Sequence, residues 1–183
     1  MDPETETRSL ELLDPKFAAR LGALLASCRE RGIDLRVSTT LRGPEAQGRM
    51  WCRSRSEEEV ALRRSVIAAA APTMASYLRE EWCGFGPQLT SNLPGQSWHQ
   101  YGEAADVFAV VGGKALWEGS LMKRISALVA EAGIFTPATS LAWRRSLANR
   151  WHVQLRREET PLMVRGFCDS WVDVDRMMVE KYS

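Results

Sequence analysis

The apolar run Val107-Phe108-Ala109-Val110-Val111 stops at Gly112-Gly113 and resumes as Lys114-Ala115-Leu116-Trp117. Two successive glycines accept the positive φ angles of a two-residue turn at no steric cost, so the stretch predicts a strand, a tight turn and a returning strand. The segment before it reads Ser97-Trp98-His99-Gln100-Tyr101-Gly102-Glu103-Ala104-Ala105-Asp106. Gly102 and the two alanines are small enough to let the chain bend sharply. Asp106 is therefore expected at the start of a rigid strand, with His99 just ahead of the bend. An imidazole and a carboxylate are thus tied to one hairpin, and the other elements have to pack around it.

The chain has two histidines in 183 residues. The second lies in Arg150-Trp151-His152-Val153-Gln154-Leu155, where Trp151, Val153 and Leu155 alternate with His152, Gln154 and Arg156. That period suits a strand turning His152 to one face. His99, Asp106 and His152 would supply three zinc ligands, with a fourth position left to water. Two ordinary histidines, in core or on surface, fit the spacing as well.

Elsewhere the signals are those of a compact globule. Lys and Arg number 24 against 23 Asp and Glu, a net charge of +1, so no global field attracts nucleic acid. No apolar run reaches the length of a membrane span; Val66 to Ala71 is short and Pro72 stops it. The N-terminus, Met1-Asp2-Pro3-Glu4-Thr5-Glu6, is polar and acidic, unlike a secretory signal. Cys28, Cys52, Cys83 and Cys168 are scattered without a CxxC pair and are expected as free thiols packed as small hydrophobes. Asp14-Pro15 predicts a helix start, with Phe17, Leu21, Leu24, Leu25 and Cys28 as its core stripe and Gly32 at its end. Ile33, Leu35, Val37 and Thr39 alternate as a half-buried strand leading to Arg42. Ser56-Glu57-Glu58-Glu59 opens a further helix with a capping box. Val60, Val66, Ile67, Met74, Leu78 and Trp82 supply its apolar faces, and Pro72 divides it. Ser120 is expected to cap a helix burying Leu121, Ile125, Leu128 and Val129 and ending at Gly133. Thr136 to Ser140 reads as loop, and Trp171 to Tyr182 as a closing helix. Arg144, Arg145, Arg150, Arg156 and Arg157 form either a solvated basic face or a rim attracting carboxylate-rich ligands.

Ser97-x-His99-x-x-Gly102-x-Ala104-x-Asp106, followed by the Trp151-His152 strand, resembles the zinc peptidoglycan peptidases. That family comprises D-Ala-D-Ala carboxypeptidases and dipeptidases and L-alanyl-D-glutamate endopeptidases of endolysins. Two further stretches are similar to it. Ser38-Thr39-Thr40-Leu41-Arg42-Gly43-Pro44-Glu45-Ala46-Gln47 resembles its strand, arginine and Pro-Glu-x-Gln helix start. Asn92-Leu93-Pro94-Gly95-Gln96-Ser97 resembles its lead-in to the first histidine and is most like the endolysin-type branch. The match covers roughly residues 12 to 157.

The resemblance implies an α+β fold with a small, mainly antiparallel sheet flanked by helices, of the hedgehog and D,D-peptidase kind. It implies one domain over residues 1–183, with 1–11 flexible and 53–83 a helical insertion. One zinc ion per chain would be held by His99, Asp106 and His152, and Arg42 would steady the developing oxyanion or bind the peptide. Ser97, Gln47 and Trp151 fall at substrate-side positions, although Gln47 suits support of Arg42, Ser97 a turn-stabilising hydroxyl and Trp151 a packing wall. The family's acidic base stands three places before the second histidine; here that residue is Asn149. An engineered change, a substitute carboxylate (Glu103, Glu158 or Glu159) and a pseudoenzyme all remain open. The expected partner is the peptidoglycan stem peptide, met by a monomer without a membrane span. Synthesis in the cytoplasm would then require release by a holin or a secretion system. The expected reaction is L-Ala-D-Glu hydrolysis, with D,D- or L,D-carboxypeptidase action, or wall binding without cleavage, as alternatives.

Overall fold

The computed structural model describes residues 1–117, 119–136, 151–155 and 170–183. Its elements form an α+β fold with a small, wholly antiparallel sheet. Residue contacts divide the chain into two compact units, Thr7–Leu41 with Tyr101–Glu158, and Met1–Glu6 with Arg42–Gln100 and Glu159–Ser183.

The first unit holds the sheet. Its strands are β1 (Asp34–Thr39), β2 (Ala104–Val111), β3 (Lys114–Leu116), β4 (Ile134–Phe135) and β5 (His152–Leu155). Their order is β1-β2-β5-β4, with β3 also on β2. β1 pairs along one edge of β2, so β5 at Ala104–Asp106 and β3 at Ala109–Val111 share the other. The expected hairpin is present: Val111 faces Lys114, and Gly112 and Gly113 have φ of 57° and 77°. Positive φ at both central residues matches the twist of the flanking strands. β2 begins two residues earlier than expected, at Ala104, because its first residues pair with β5.

Helix α1 (Pro15–Glu30) starts where expected. The Asp14 carboxylate accepts from the Lys16 and Phe17 amides at 3.0 Å each, meeting donors that have no partner within the helix. Its stripe Phe17, Leu21, Leu24 and Cys28 is wholly buried, and Leu25 is half-buried beside it. The stripe packs with Val107 and Val153 of the sheet and with Ile125, Leu128 and Val129 of α5 (Gly119–Glu131). α5 begins one residue before Ser120, so that serine lies inside the helix, and Gly133 follows its end with φ 67°. The Leu121 side chain lies outside the described residues.

The second unit is helical. α2 (Pro44–Cys52), α3 (Glu57–Ala68), α4 (Pro72–Ser76) and α6 (Trp171–Tyr182) surround a core of Trp51, Cys52, Val60, Ile67, Ala75, Leu78 and Leu93. Ser56 and Glu59 form the expected capping box on α3, with bonds of 3.2 and 3.0 Å. Pro72 cannot continue α3 and opens α4 instead. Val66, expected inward, is 60% exposed. Val60 and Ile67, seven apart, already define the buried stripe, and Val66 lies about 100° off it. Arg64 grips Glu80 through two 2.6 Å bonds, tying α3 to the 3-10 turn Glu80–Trp82. The Asp175 carboxylate of α6 accepts from the Met74 amide at 2.8 Å and so caps α4. Met74 and Leu78 are buried as expected, while Trp82 is half-buried.

The first residues are laid down by backbone bonds within each unit. Gly43 N donates to Thr5 O at 2.6 Å and Glu45 N to Pro3 O at 3.1 Å in the helical unit. Thr40 N donates to Thr7 O at 2.7 Å in the sheet unit. Cys28, Cys52 and Cys83 are free thiols, and burial pushes the Cys52 thiol up to about 11; Cys168 lies outside the described residues. No helix among the described residues is long and apolar enough to cross a membrane.

Candidate metal centre

Asp106 and His152 come from neighbouring strands and stand directly opposite each other in the β2–β5 ladder. Opposed residues of an antiparallel pair project to one face. Asp106 Oδ1 lies 3.3 Å from His152 Nδ1, and His152 Nε2 lies 3.2 Å from Gln154 Oε1. On the far side of β2 the β1 ladder shifts register between Val37 and Thr39, leaving Thr39 opposite Asp106. Such a bulge bends the strand locally and re-aims side chains.

His99 sits in the 3-10 turn Trp98–Tyr101, two residues ahead of β2. Gly102 makes the bend with φ 74°, and a Cβ there would come within 2.9 Å of the Leu12 carbonyl oxygen. The turn is held from within. Gln100 N donates to Ser97 O at 3.0 Å, while Gln100 Oε1 accepts from Gly95 N at 2.9 Å and Ser97 N at 3.2 Å. Tyr182 Oη donates to Gln100 O at 2.7 Å, and burial raises its phenol well above the ordinary range.

One donor atom from each of His99, Asp106 and His152 falls within 4.8 Å of the other two. His99 is 2% exposed, while the side chains of His152 and Asp106 keep 12% and 24% of their surface. Two imidazoles and one carboxylate so close together are a donor set that zinc accepts.

The other expected site residues fall as follows. Arg42 is 7% exposed, and its amide donates to the His99 carbonyl at 3.3 Å. Its guanidinium donates to Glu6 Oε1 at 3.3 Å and Gln47 Oε1 at 3.4 Å. Gln47, placed at the substrate by the resemblance, has no exposed surface. Its amide nitrogen is committed to the Asn92 carbonyl at 2.8 Å and Thr90 Oγ1 at 3.2 Å, which leaves it supporting Arg42. Ser97 is buried in the turn. Trp151 is half-buried against the sheet unit's core, with its ring edge-on to Trp117 at 5.7 Å. Trp117 in turn stacks on Phe108 at 5.0 Å and is 48% exposed. Phe108 has the same strand parity as Asp106, whereas Trp151, one residue before His152, has the parity of Val153 and packs with the core.

Glu103 has the opposite parity from Asp106, and its carbonyl accepts from Leu155 N at 2.9 Å. Asn149, Glu158, Glu159 and the arginines 144, 145, 150, 156 and 157 lie outside the described residues. Sequence reasoning missed Glu6, which lies 36 residues from Arg42 and carries no local signal. It also gave no role to Gln154, although the two-residue period that turns His152 to a face turns Gln154 to it as well.

No family model matches the chain, and no curated protein matches it. Solved structures similar to this chain include the following three. The L-Ala D-Glu endopeptidase ChiX of Serratia marcescens is 21% identical, over 82% of this chain and 87% of its own, with a TM-score of 0.42. VanYB in complex with D-alanine-D-alanine is 18% identical, over 78% and 71%, at 0.46. A mutant of the D,D-pentapeptidase VanY from a VanB-type vancomycin resistance cassette, in complex with Zn(II), is 15% identical, over 93% and 84%, at 0.46. At such identities and TM-scores the functional reading rests on the geometry above.

Proposed function

We propose that the chain is a zinc-dependent peptidase hydrolysing an amide bond of the peptidoglycan stem peptide, with the L-Ala-D-Glu bond as first choice. The convergence of His99, Asp106 and His152 carries this reading, and the family resemblance of residues 12 to 157 supplies the substrate class. When bound, zinc would act as a Lewis acid on the scissile carbonyl and acidify the attacking water. The three donors would hold the ion. Arg42, set by Glu6 and Gln47, would direct fixed N–H donors to the carbonyl oxygen as it turns negative. Asn149 stands where the family has its base, and an amide cannot take a proton at neutral pH.

That amide favours a second reading, a zinc-bearing protein that binds wall peptides without cutting them. Two measurements decide. Metal analysis should find about one zinc per chain, lost in His99→Ala; a metal-free wild type would sink both readings. Digestion of purified peptidoglycan, with products weighed, identifies the bond. Asn149→Asp should raise the rate by about 10²–10⁴-fold, the usual contribution of a general base. A zinc-loaded Asn149→Asp protein that still cuts nothing would leave the binding reading standing.

A further inference from the structure

We propose that Gln154 is the positioning residue that presents His152 to the metal through Nδ1, an inference that rests on the zinc reading above. His152 Nε2 lies 3.2 Å from Gln154 Oε1, and its other nitrogen lies 3.3 Å from Asp106 Oδ1. An amide oxygen only accepts, so the ring offers its proton at Nε2. A neutral imidazole has one N–H, and the lone pair is then on Nδ1. Nδ1 thus faces a carboxylate oxygen that also only accepts. Two acceptors at that distance repel in the neutral ring, and a proton on Nδ1, as in an imidazolium, or a metal cation between them relieves it. The third donor, from His99, is within 4.8 Å of both. A metal ion at their common point satisfies all three.

The direction of the Gln154 amide decides the outcome. Were its –NH₂ turned to the ring, it would donate to Nε2 and shift the ring proton to Nδ1, against Asp106. Neither nitrogen could then bind a metal. Gln154 is well placed to impose the other arrangement. It is 2% exposed, so its amide oxygen is shielded from bulk water. Its main chain sits opposite Ala104 on one flanking strand and Phe135 on the other. Metal-bound histidines commonly donate their second N–H to such an acceptor, which fixes tautomer and ring orientation.

Zinc affinity, measured by competition with a chromophoric chelator, tests this in the wild type, Gln154→Leu and Gln154→Glu. The leucine removes the acceptor and should weaken binding about 10–100-fold. The glutamate keeps an acceptor and should hold zinc as tightly as the wild type. Long-range ¹H–¹⁵N NMR of the zinc-loaded wild type should show His152 protonated at Nε2 and metal-bound at Nδ1, a signature that a merely structural glutamine would not set. Should Gln154→Leu fail to fold, the glutamate variant and the NMR signature still decide. Wild-type affinity in Gln154→Leu, weakened binding in Gln154→Glu, or a proton on Nδ1 overturns the inference while leaving the zinc site intact. A wild type that binds no zinc overturns the site and the inference together.

Discussion

The two units bury different chemistry. Beneath the sheet lies an apolar cluster built from helical and strand periodicity, with Phe17, Leu21, Leu24, Val107, Ile125 and Val153 at its heart. The helical unit has its own apolar cluster, yet also buries Arg42, Glu45, Gln47, Gln96, Gln100 and Asp175. Several of these hold backbone groups that no helix or strand satisfies: Gln47 takes the Asn92 carbonyl, Gln96 the Leu93 amide, Gln100 the Gly95 amide and Asp175 the Met74 amide. A surface sheds water without direction, whereas a buried amide requires a partner at one place and angle. Among the described residues the sheet unit buries fewer polar side chains, one of them Thr40, which donates to the Thr7 and Ser9 carbonyls. It is held mainly by area, whereas the loops of the helical unit are held mainly by particular bonds. Loops without a repeating pattern can be made rigid in that way, and both Arg42 and His99 depend on it.

The largest expected effect strikes the apolar side. Phe17→Ala should cost about 3–5 kcal/mol in urea unfolding, since it opens a cavity in a site with no exposed surface. A cost near that of an exposed alanine substitution would mean that the cluster collapses around the gap, and the contrast between the units would go. Gln47→Leu comes next. Its volume is close to the original, so packing is kept while the Asn92 carbonyl and one Arg42 donor lose a partner. We expect a loss of about 1–3 kcal/mol and a fall in whatever activity depends on Arg42. A change within about 0.5 kcal/mol, typical of an indifferent surface position, would show that the polar bonds of this unit do not hold it.

That difference also governs what could be read in advance. The hairpin, α1, the capping box of α3 and the alternation of β5 are written locally, within a turn or two of chain, and the structure has all of them. His99 and His152 could be singled out as candidate ligands because the chain has no other histidine. β4 escaped notice because two residues, Ile134 and Phe135, show no period. Val66 was misplaced because a run of apolar residues does not say which face is buried. Glu6 against Arg42, and Asp175 against Met74, join residues 36 and 101 positions apart. Nothing local in either partner names the other.

The smallest effects offer the sharpest control. Asp14→Ala removes the cap of α1 in the sheet unit, and Ser56→Ala removes that of α3 in the helical unit. Asp14 satisfies two amides at 3.0 Å, and Ser56 satisfies one at 3.2 Å while Glu59 returns a bond to its own amide at 3.0 Å. Each substitution exposes helix-end donors without opening a cavity or stranding a buried charge, so each should cost about 1 kcal/mol. Similar costs in the two units would mean that local helix chemistry is the same in both, leaving the buried interior as the source of their difference. Should Ser56→Ala cost much more than Asp14→Ala, the helical unit would depend on its local bonds as well as its long-range ones. The Gln47→Leu loss would then need to be read against that larger local cost.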